Sequence, residues 1–300
     1  MLHLNSLTPA VEQLRLEGLH IDAQHRPQAK TVALLNLMPE KCATELDIFR
    51  MLASSQHEIN LTLLKFPGQT YKTTPPAYME AHYIDWDATW ADRTLDGLII
   101  TGAPVEQMAF EEVRYWPQLC QLMAWSRTHT RSTLNICWAA QAALHFHHGV
   151  AKHPLPHKMF GIFPQDECLD HPLTQGLAAG FPMPHSRHTE VRRSDIPASL
   201  QIVSHSAEAG LGIVADEHAN QVFVFGHLEY EAATLNREYQ RDLAKRLPIA
   251  LPRHYYHNDS PALGIHFSWR EVALRFYDNW LTILGSPLNS TLSTLTAIHP

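Results

Sequence analysis

Largely apolar runs of five to seven residues recur along the chain and are separated by segments with helical period. Residues 31–37, 59–64, 97–101 and 132–136 are runs of this kind. Strands buried on both faces read this way, because neither side of the pleat meets water. Between them, 43–53 and 112–128 place apolar residues on one face of a helix. The alternation predicts an α/β fold, a doubly wound and mostly parallel sheet. Residues 201–204 and 212–214 read as a later, more antiparallel portion, 221–225 as a further strand and 231–246 as a helix.

Two stretches break the order. Residues 66–89, rich in Thr, Tyr and Pro, form a long excursion after the second strand. Residues 251–268 form a second loop before a final helix that begins near Trp269. Loops of this length in a compact domain are more often functional than idle. With no internal repeat, the organisation expected is one domain over 1–300. It divides into an N-terminal extension (1–29), an α/β core (30–250) and a C-terminal loop, helix and tail (251–300).

Composition narrows the class. Hydrophobic content of 45% and charged content of 18% are ordinary for a globular protein. A net charge of −7 gives no reason to expect nucleic acid or an anionic membrane as partner. Cys42, Cys120, Cys137 and Cys168 show neither metal-ligand spacing nor a disulfide framework. Without a signal-like start or a long apolar run, the expected location is cytoplasmic. The 21 histidines are dispersed. His145, His147 and His148 come closest to a cluster but lack the spacing of a metal site, so no metal is expected.

The chemistry concentrates at one cysteine. Cys137 stands where the run ending at Ile136 turns into the small-residue segment Trp138-Ala139-Ala140-Gln141-Ala142-Ala143. A helix N-terminus presents unpaired N–H groups and a favourable dipole to an anion, an environment that favours thiolate. The other three cysteines read as small buried hydrophobes. At the end of another strand, Gly226-His227-Leu228-Glu229 places an imidazole and a carboxylate two residues apart, the base and orienting group a nucleophilic thiol needs. Thr101-Gly102-Ala103-Pro104 ends a third strand. In open α/β sheets, ligands collect beyond such strand ends.

These segments belong to a longer ordered set. It comprises Asn36-Leu37-Met38-Pro39-Glu40-Lys41 with Thr44-Glu45, Asp96 through Pro104, Tyr115-Trp116-Pro117 and the Cys137 segment. Pro184-His185-Ser186-Arg187, Gly226 through Tyr230 and Arg241-Asp242 follow. In this the chain resembles the homoserine O-acyltransferases of the homoserine transsuccinylase type, relatives of the class I glutamine amidotransferase-like, flavodoxin-like fold. The resemblance implies Cys137 as acyl-thioester nucleophile, His227 as general base and Glu229 as the second active-site residue. It also implies Lys158 and Ser186 as substrate-binding groups, and Arg241 as partner of the acceptor's α-carboxylate. Backbone N–H groups of Gly102, Ala103 and Trp138 are the candidate oxyanion hole. Glu106 occupies the position where acyl-donor choice is read in the family, glutamate going with acetyl. The expected partners are small molecules, acetyl-CoA as cosubstrate and a hydroxy amino acid, with no bound cofactor. A homodimer is the assembly considered.

The acceptor expected is L-homoserine, with L-serine, one methylene shorter, as the close alternative. Trp269-Arg270-Glu271 departs from the family's Trp-Arg-Ser, and one methylene is worth only about 1–3 kcal/mol of discrimination. A succinyl-CoA-dependent enzyme, an amidotransferase-type hydrolase and a non-catalytic binding module are the remaining readings.

Overall fold

The computed structural model describes residues 1–285; apart from Gly285, the expected tail lies outside them. The strands are β1 (Leu2–Leu4), β2 (Ile21–Asp22), β3 (Lys30–Leu35), β4 (Ile59–Lys65), β5 (Ile84–Asp85), β6 (Leu95–Ile100) and β7 (Thr130–Ile136). They continue as β8 (His153–Gln165), β9 (Glu167–Cys168), β10 (Phe181–Glu190), β11 (Gln201–Ser206), β12 (Gly210–Asp216) and β13 (Gln221–Val224). The helices are α1 (Pro9–Leu16), α2 (Lys41–Ala53), α3 (Pro76–His82), α4 (Trp116–His129), α5 (Trp138–His148), α6 (Thr234–Ala244) and α7 (Arg270–Ile283).

The main sheet runs β2-β1-β4-β3-β6-β7-β13-β12-β11-β9, with β5 on β4. It is parallel from β2 to β13 and antiparallel from there to β9, as the two later runs predicted. Both faces are covered. Val32 and Leu34 join one buried cluster with α1, α2 and α7, whereas Ala33 and Leu35 join a second with α4 and α5. Val222 and Val224 alternate with Phe223 and Phe225 in the same way. This two-sided burial makes the strands read as continuous apolar runs.

From β3 the chain moves outward to β4, then crosses back to β6 on the other side of β3. The connections leaving β3 and β6 therefore diverge, the arrangement that opens a crevice beyond the strand ends.

Several expected boundaries shift. The N-terminal residues, read as an extension, enter the sheet: β1 pairs in parallel with β4, and Leu2 and Leu4 are buried. The helix expected over 112–128 begins only at Trp116, where Pro117 sits in the first turn and needs no N–H partner. The 66–89 excursion folds into α3 and β5.

The largest element the pattern did not predict is the antiparallel ribbon β8–β10, which stands apart from the main sheet. Pro154, Pro156 and Pro164 on one strand and Pro182 and Pro184 on the other argue against a strand, since proline donates nothing to a ladder. A two-stranded ribbon tolerates them because each strand keeps a free edge. The 251–268 loop clasps this ribbon. Ile162 N–H donates to Arg253 O at 2.8 Å and Arg253 N–H to Phe160 O at 3.0 Å. Gly161 is required there: its φ is +146°, and a Cβ would lie 2.6 Å from Arg253 N. Phe160, Ile162, Tyr230, Leu235, Tyr255, Tyr256 and Trp269 form a third buried cluster that fastens ribbon and loop to α6.

Candidate active site

Adjacent strands β6, β7 and β13 each deliver one part of the site. Cys137 is the residue between β7 and α5, with φ 54° and ψ −111°. A non-glycine residue held there costs about 1–3 kcal/mol, tolerated because the flanking elements fix it. Its amide donates to Val224 O at 2.7 Å, so the turn is tied to β13. A sharp strand-to-helix turn of this kind exposes a nucleophile above the sheet. After the buried Trp138 that opens α5, Ala139, Ala140, Ala142 and Ala143 are small and fully packed, which lets the helix sit close beneath the turn.

The β6 turn meets it. A Cβ on Gly102 would lie 3.3 Å from Cys137 Cβ, a tight contact, and 3.7 Å from His227 Cε1, an ordinary one, so glycine leaves the Cys137 turn uncrowded. Trp138, at the first turn of α5, has an amide with no intrahelical acceptor. Among the described residues the amides of Gly102 and Ala103 also lack a backbone acceptor. Three free donors around Cys137 suit a developing oxyanion.

His227 follows β13. Its amide donates to Pro184 O at 2.8 Å, and its Nδ1 lies 2.7 Å from Glu229 Oε1. The ring and Cys137 both border Gly102, and the thiol's charge acts on the imidazole. Burial opposes charge on the imidazole, but Cys137 and Glu229 together outweigh it and hold the pKa well above its ordinary value. The Glu229 contact fixes the tautomer that leaves Nε2 available to a reacting atom.

Gly226 makes this placement fit. A Cβ there would lie 2.5 Å from Met183 Sδ and 2.6 Å from Pro184 O. The backbone oxygen is the same one that receives the His227 amide, so it cannot move freely. Gly226→Ala is expected to destabilise the protein by about 1–3 kcal/mol and to reduce activity further by displacing His227. Thermal unfolding and kcat measured on the same preparation check this.

A second group of residues continues from the imidazole. The Tyr230 ring stacks on His227 with centroids 4.1 Å apart, and its hydroxyl donates to Glu238 Oε1 at 3.0 Å. Glu238 Oε2 accepts from Ser186 Oγ at 2.5 Å and Lys158 Nζ at 3.1 Å. Lys158 also reaches Asp242 Oδ2 at 3.2 Å, and Arg241 Nε reaches Asp242 Oδ1 at 2.7 Å. Burial disfavours the Glu238 charge, yet Lys158 and Ser186 hold its carboxyl below the ordinary range. The structure thus brings Lys158, Ser186 and Arg241 together through Glu238 and Asp242, to which the sequence reading gave no role. Glu238 and Asp242 stand one helical turn apart on α6, a spacing that could have flagged them.

Glu106 lies on the loop after β6. Its Oε2 accepts the His188 amide at 2.9 Å, and Lys152 Nζ donates to its carbonyl.

The other candidate chemistry is dispersed. His145 stacks on Phe110 and lies 3.2 Å from Glu111, while burial pushes His147 down to about 4. His148 sits 3.1 Å from Asp216. Among the described residues no three His, Cys, Asp or Glu side chains are grouped to hold a metal ion. Burial raises the Cys42, Cys168 and Cys120 thiols, the last to about 11, which leaves them inert near neutral pH. No helix among the described residues is long and apolar enough to cross a membrane.

Comparison with known proteins gives a consistent result. The family model for homoserine O-succinyltransferase matches residues 2–286. The homoserine O-acetyltransferase of Bacteroides fragilis is 43% identical over 288 residues, covering 93% of this chain and 94% of that protein. Proteins of the same name from Methanomethylophilus alvi and Geobacillus kaustophilus are each 43% identical over 281 residues. They cover 91% of this chain and 91% and 93% of their own lengths. Among solved structures, a glutamine amidotransferase from Thermotoga maritima aligns with a TM-score of 0.53 at 16% identity, covering 87% of this chain and all of that one. A glutamine amidotransferase from Methylobacillus flagellatus aligns with a TM-score of 0.53 at 11% identity, covering 86% of this chain and 94% of that one. At such identities these two neighbours speak for the amidotransferase-like fold alone.

Proposed function

The chain belongs to the homoserine O-succinyltransferase family, a family of O-acyltransferases, and on that footing we propose that it transfers an acetyl group from acetyl-CoA to the side-chain hydroxyl of L-homoserine, a step of methionine biosynthesis. The observation that carries this reading is the continuity of two groups. A buried cysteine–imidazole–carboxylate array abuts, through Tyr230, a cluster of opposite charges suited to the two ends of an amino acid.

The reaction proceeds in two halves. The Cys137 thiolate attacks the acyl-CoA carbonyl, and the amides of Gly102, Ala103 and Trp138 receive the oxyanion. The C–S bond to coenzyme A then breaks, and the departing thiolate takes a proton from the His227 imidazolium. The acceptor hydroxyl enters the same place. His227 removes its proton, the oxygen attacks the acyl-thioester, and Cys137 leaves as thiolate paired with the imidazolium. Glu229 supports the positive charge in both halves. Water must stay out of the thioester stage, and the clasped ribbon and the 251–268 loop serve as cover.

Glu238 suits the acceptor's ammonium and Arg241 its carboxylate, with Lys158 and Ser186 holding Glu238 in place. Arg241 is half exposed and partly occupied by Asp242. Arg241→Leu and Glu238→Gln are each expected to raise the KM for the amino acid roughly 10–100-fold, the equivalent of one charge-assisted contact. The KM for acyl-CoA is expected to change much less. Equal effects on both substrates would assign these residues to the scaffold instead.

Glu106 sets the donor. A succinyl carboxylate about 4 Å from Glu106 would meet a repulsion of roughly 4 kcal/mol at an effective dielectric near 20. Glu106→Gly is therefore expected to admit succinyl-CoA, which the wild type rejects. Release of free thiol from acetyl- and succinyl-CoA, with homoserine or serine as acceptor, tests the whole reading. Acetyl-CoA with homoserine is the expected pair. Faster turnover of serine would move the acceptor, and ammonia release from glutamine without use of acyl-CoA would overturn the assignment.

A further inference from the structure

Tyr230 is buried against the imidazole of His227, the two rings lying 14° from parallel with centroids 4.1 Å apart. The Glu229 carboxylate holds the imidazole by one edge, through Nδ1 at 2.7 Å. A single in-plane hydrogen bond leaves a ring free to turn about the line joining donor and acceptor. A second ring laid on its face removes that freedom. The contact also bears on charge. A cation within about 6 Å of an aromatic face is attracted by the ring's quadrupole, more strongly where water is excluded.

Tyr230 is itself fixed from three sides. Its carbonyl accepts the buried Trp269 indole N–H at 2.8 Å, its amide donates to His227 O at 3.2 Å, and its hydroxyl donates to Glu238 Oε1 at 3.0 Å. Arg270, the residue after Trp269, donates to Glu231 Oε1 at 2.6 Å, so the start of α7 grips two successive residues of this segment. The backbone therefore holds the ring in place independently of its hydroxyl. One side chain touches the proton carrier with its face and Glu238 with its tip.

We propose that Tyr230 is a positioning residue with two separable roles in acyl transfer: its ring holds the plane of the imidazole and supports its positive charge in both half-reactions, whereas its hydroxyl places Glu238 for the acceptor and acts in the second alone. This rests on the acyl-transfer reading of the same site and deepens it. The other charges that reach His227 come from Cys137, Glu229, Glu238 on α6 and His185 on β10, the last kept neutral by burial. Burial and Glu238 push the Tyr230 hydroxyl well above its ordinary range, so it stays protonated while the imidazole titrates.

The experiment follows both half-reactions in the wild type, Y230F and Y230M. Single-turnover release of coenzyme A from acetyl-CoA without acceptor is measured across pH, and discharge of the acetyl-enzyme is measured against homoserine concentration. Release needs thiolate and imidazolium together, so its rate falls at alkaline pH as the imidazolium loses its proton. In Y230M, which keeps bulk but no aromatic face, this alkaline limb is expected about 0.5–1 pH unit lower, with release at least about fivefold slower than in Y230F. In Y230F the limb stays near its wild-type position, and the homoserine concentration for half-maximal discharge rises about three- to tenfold. A Y230M limb that coincides with the wild type's overturns the proposal. So does a Y230F variant that slows release as much as Y230M, or one that discharges at an unchanged homoserine concentration. If Y230M does not fold, ring-fluorinated phenylalanine placed at position 230 keeps the shape of Y230F with an electron-poor face, and the same limb shift decides. A wild type that releases no coenzyme A from acetyl-CoA overturns the acyl-transfer reading itself. Normal release with an unmoved limb overturns only the role of Tyr230.

Discussion

Cys137→Ala is expected to lower kcat for acyl transfer by on the order of 10⁴-fold or more while the protein remains folded. The expectation has two parts, one chemical and one structural. Chemically, the covalent route runs through the one sulfur placed against His227, and the other three cysteines have thiols raised by burial. Structurally, alanine inherits the same positive φ and the same packing, and it loses a single heavy atom. The change in stability is expected to stay within about 1 kcal/mol. Far-UV circular dichroism and thermal unfolding, measured beside the rate, separate the two parts. A fall in rate that tracks a fall in stability would place Cys137 among the packing residues of its cluster.

His227→Asn is the second large effect, a loss of on the order of 10²–10⁴-fold from removal of the proton carrier. Both half-reactions need it, since the imidazole first protonates the departing coenzyme A and then takes the proton of the acceptor hydroxyl. Asparagine preserves one polar contact toward Glu229 but has no titrating nitrogen. Glu229→Gln is expected to cost less, because the carboxylate acts by orientation and by supporting the imidazolium charge. Pre-steady-state measurement of coenzyme A release distinguishes the steps. A His227→Asn variant with an undiminished first half-reaction would confine the imidazole to deacylation.

How much of this was legible in the sequence depends on what each element must satisfy. Strands β3, β4, β6 and β7 announced themselves because both their faces are buried, and so did the turns at Gly102, Cys137 and His227 at their ends. The antiparallel portion was readable from its shorter runs. The β8–β10 ribbon was not, because its prolines contradict the usual strand signal and its stability comes from distant partners in α6 and the 251–268 loop. Strand β1 was missed for a related reason. Three residues carry no period, and only the neighbouring β4 makes them a strand. Glu238 escaped because a charged residue on an amphipathic helix ordinarily faces water. Its burial follows from the ribbon bringing Lys158 and Ser186 over α6.

The central claim is a covalent acyl-enzyme on Cys137. Incubation of the wild-type protein with acetyl-CoA in the absence of any amino acid, followed by intact-mass and peptide mass spectrometry, tests it most directly. The account predicts an acetyl adduct on the peptide carrying Cys137, discharged when homoserine is added and absent from Cys137→Ala. Full turnover without any adduct on Cys137, with the alanine variant still transferring acetyl groups, would contradict it.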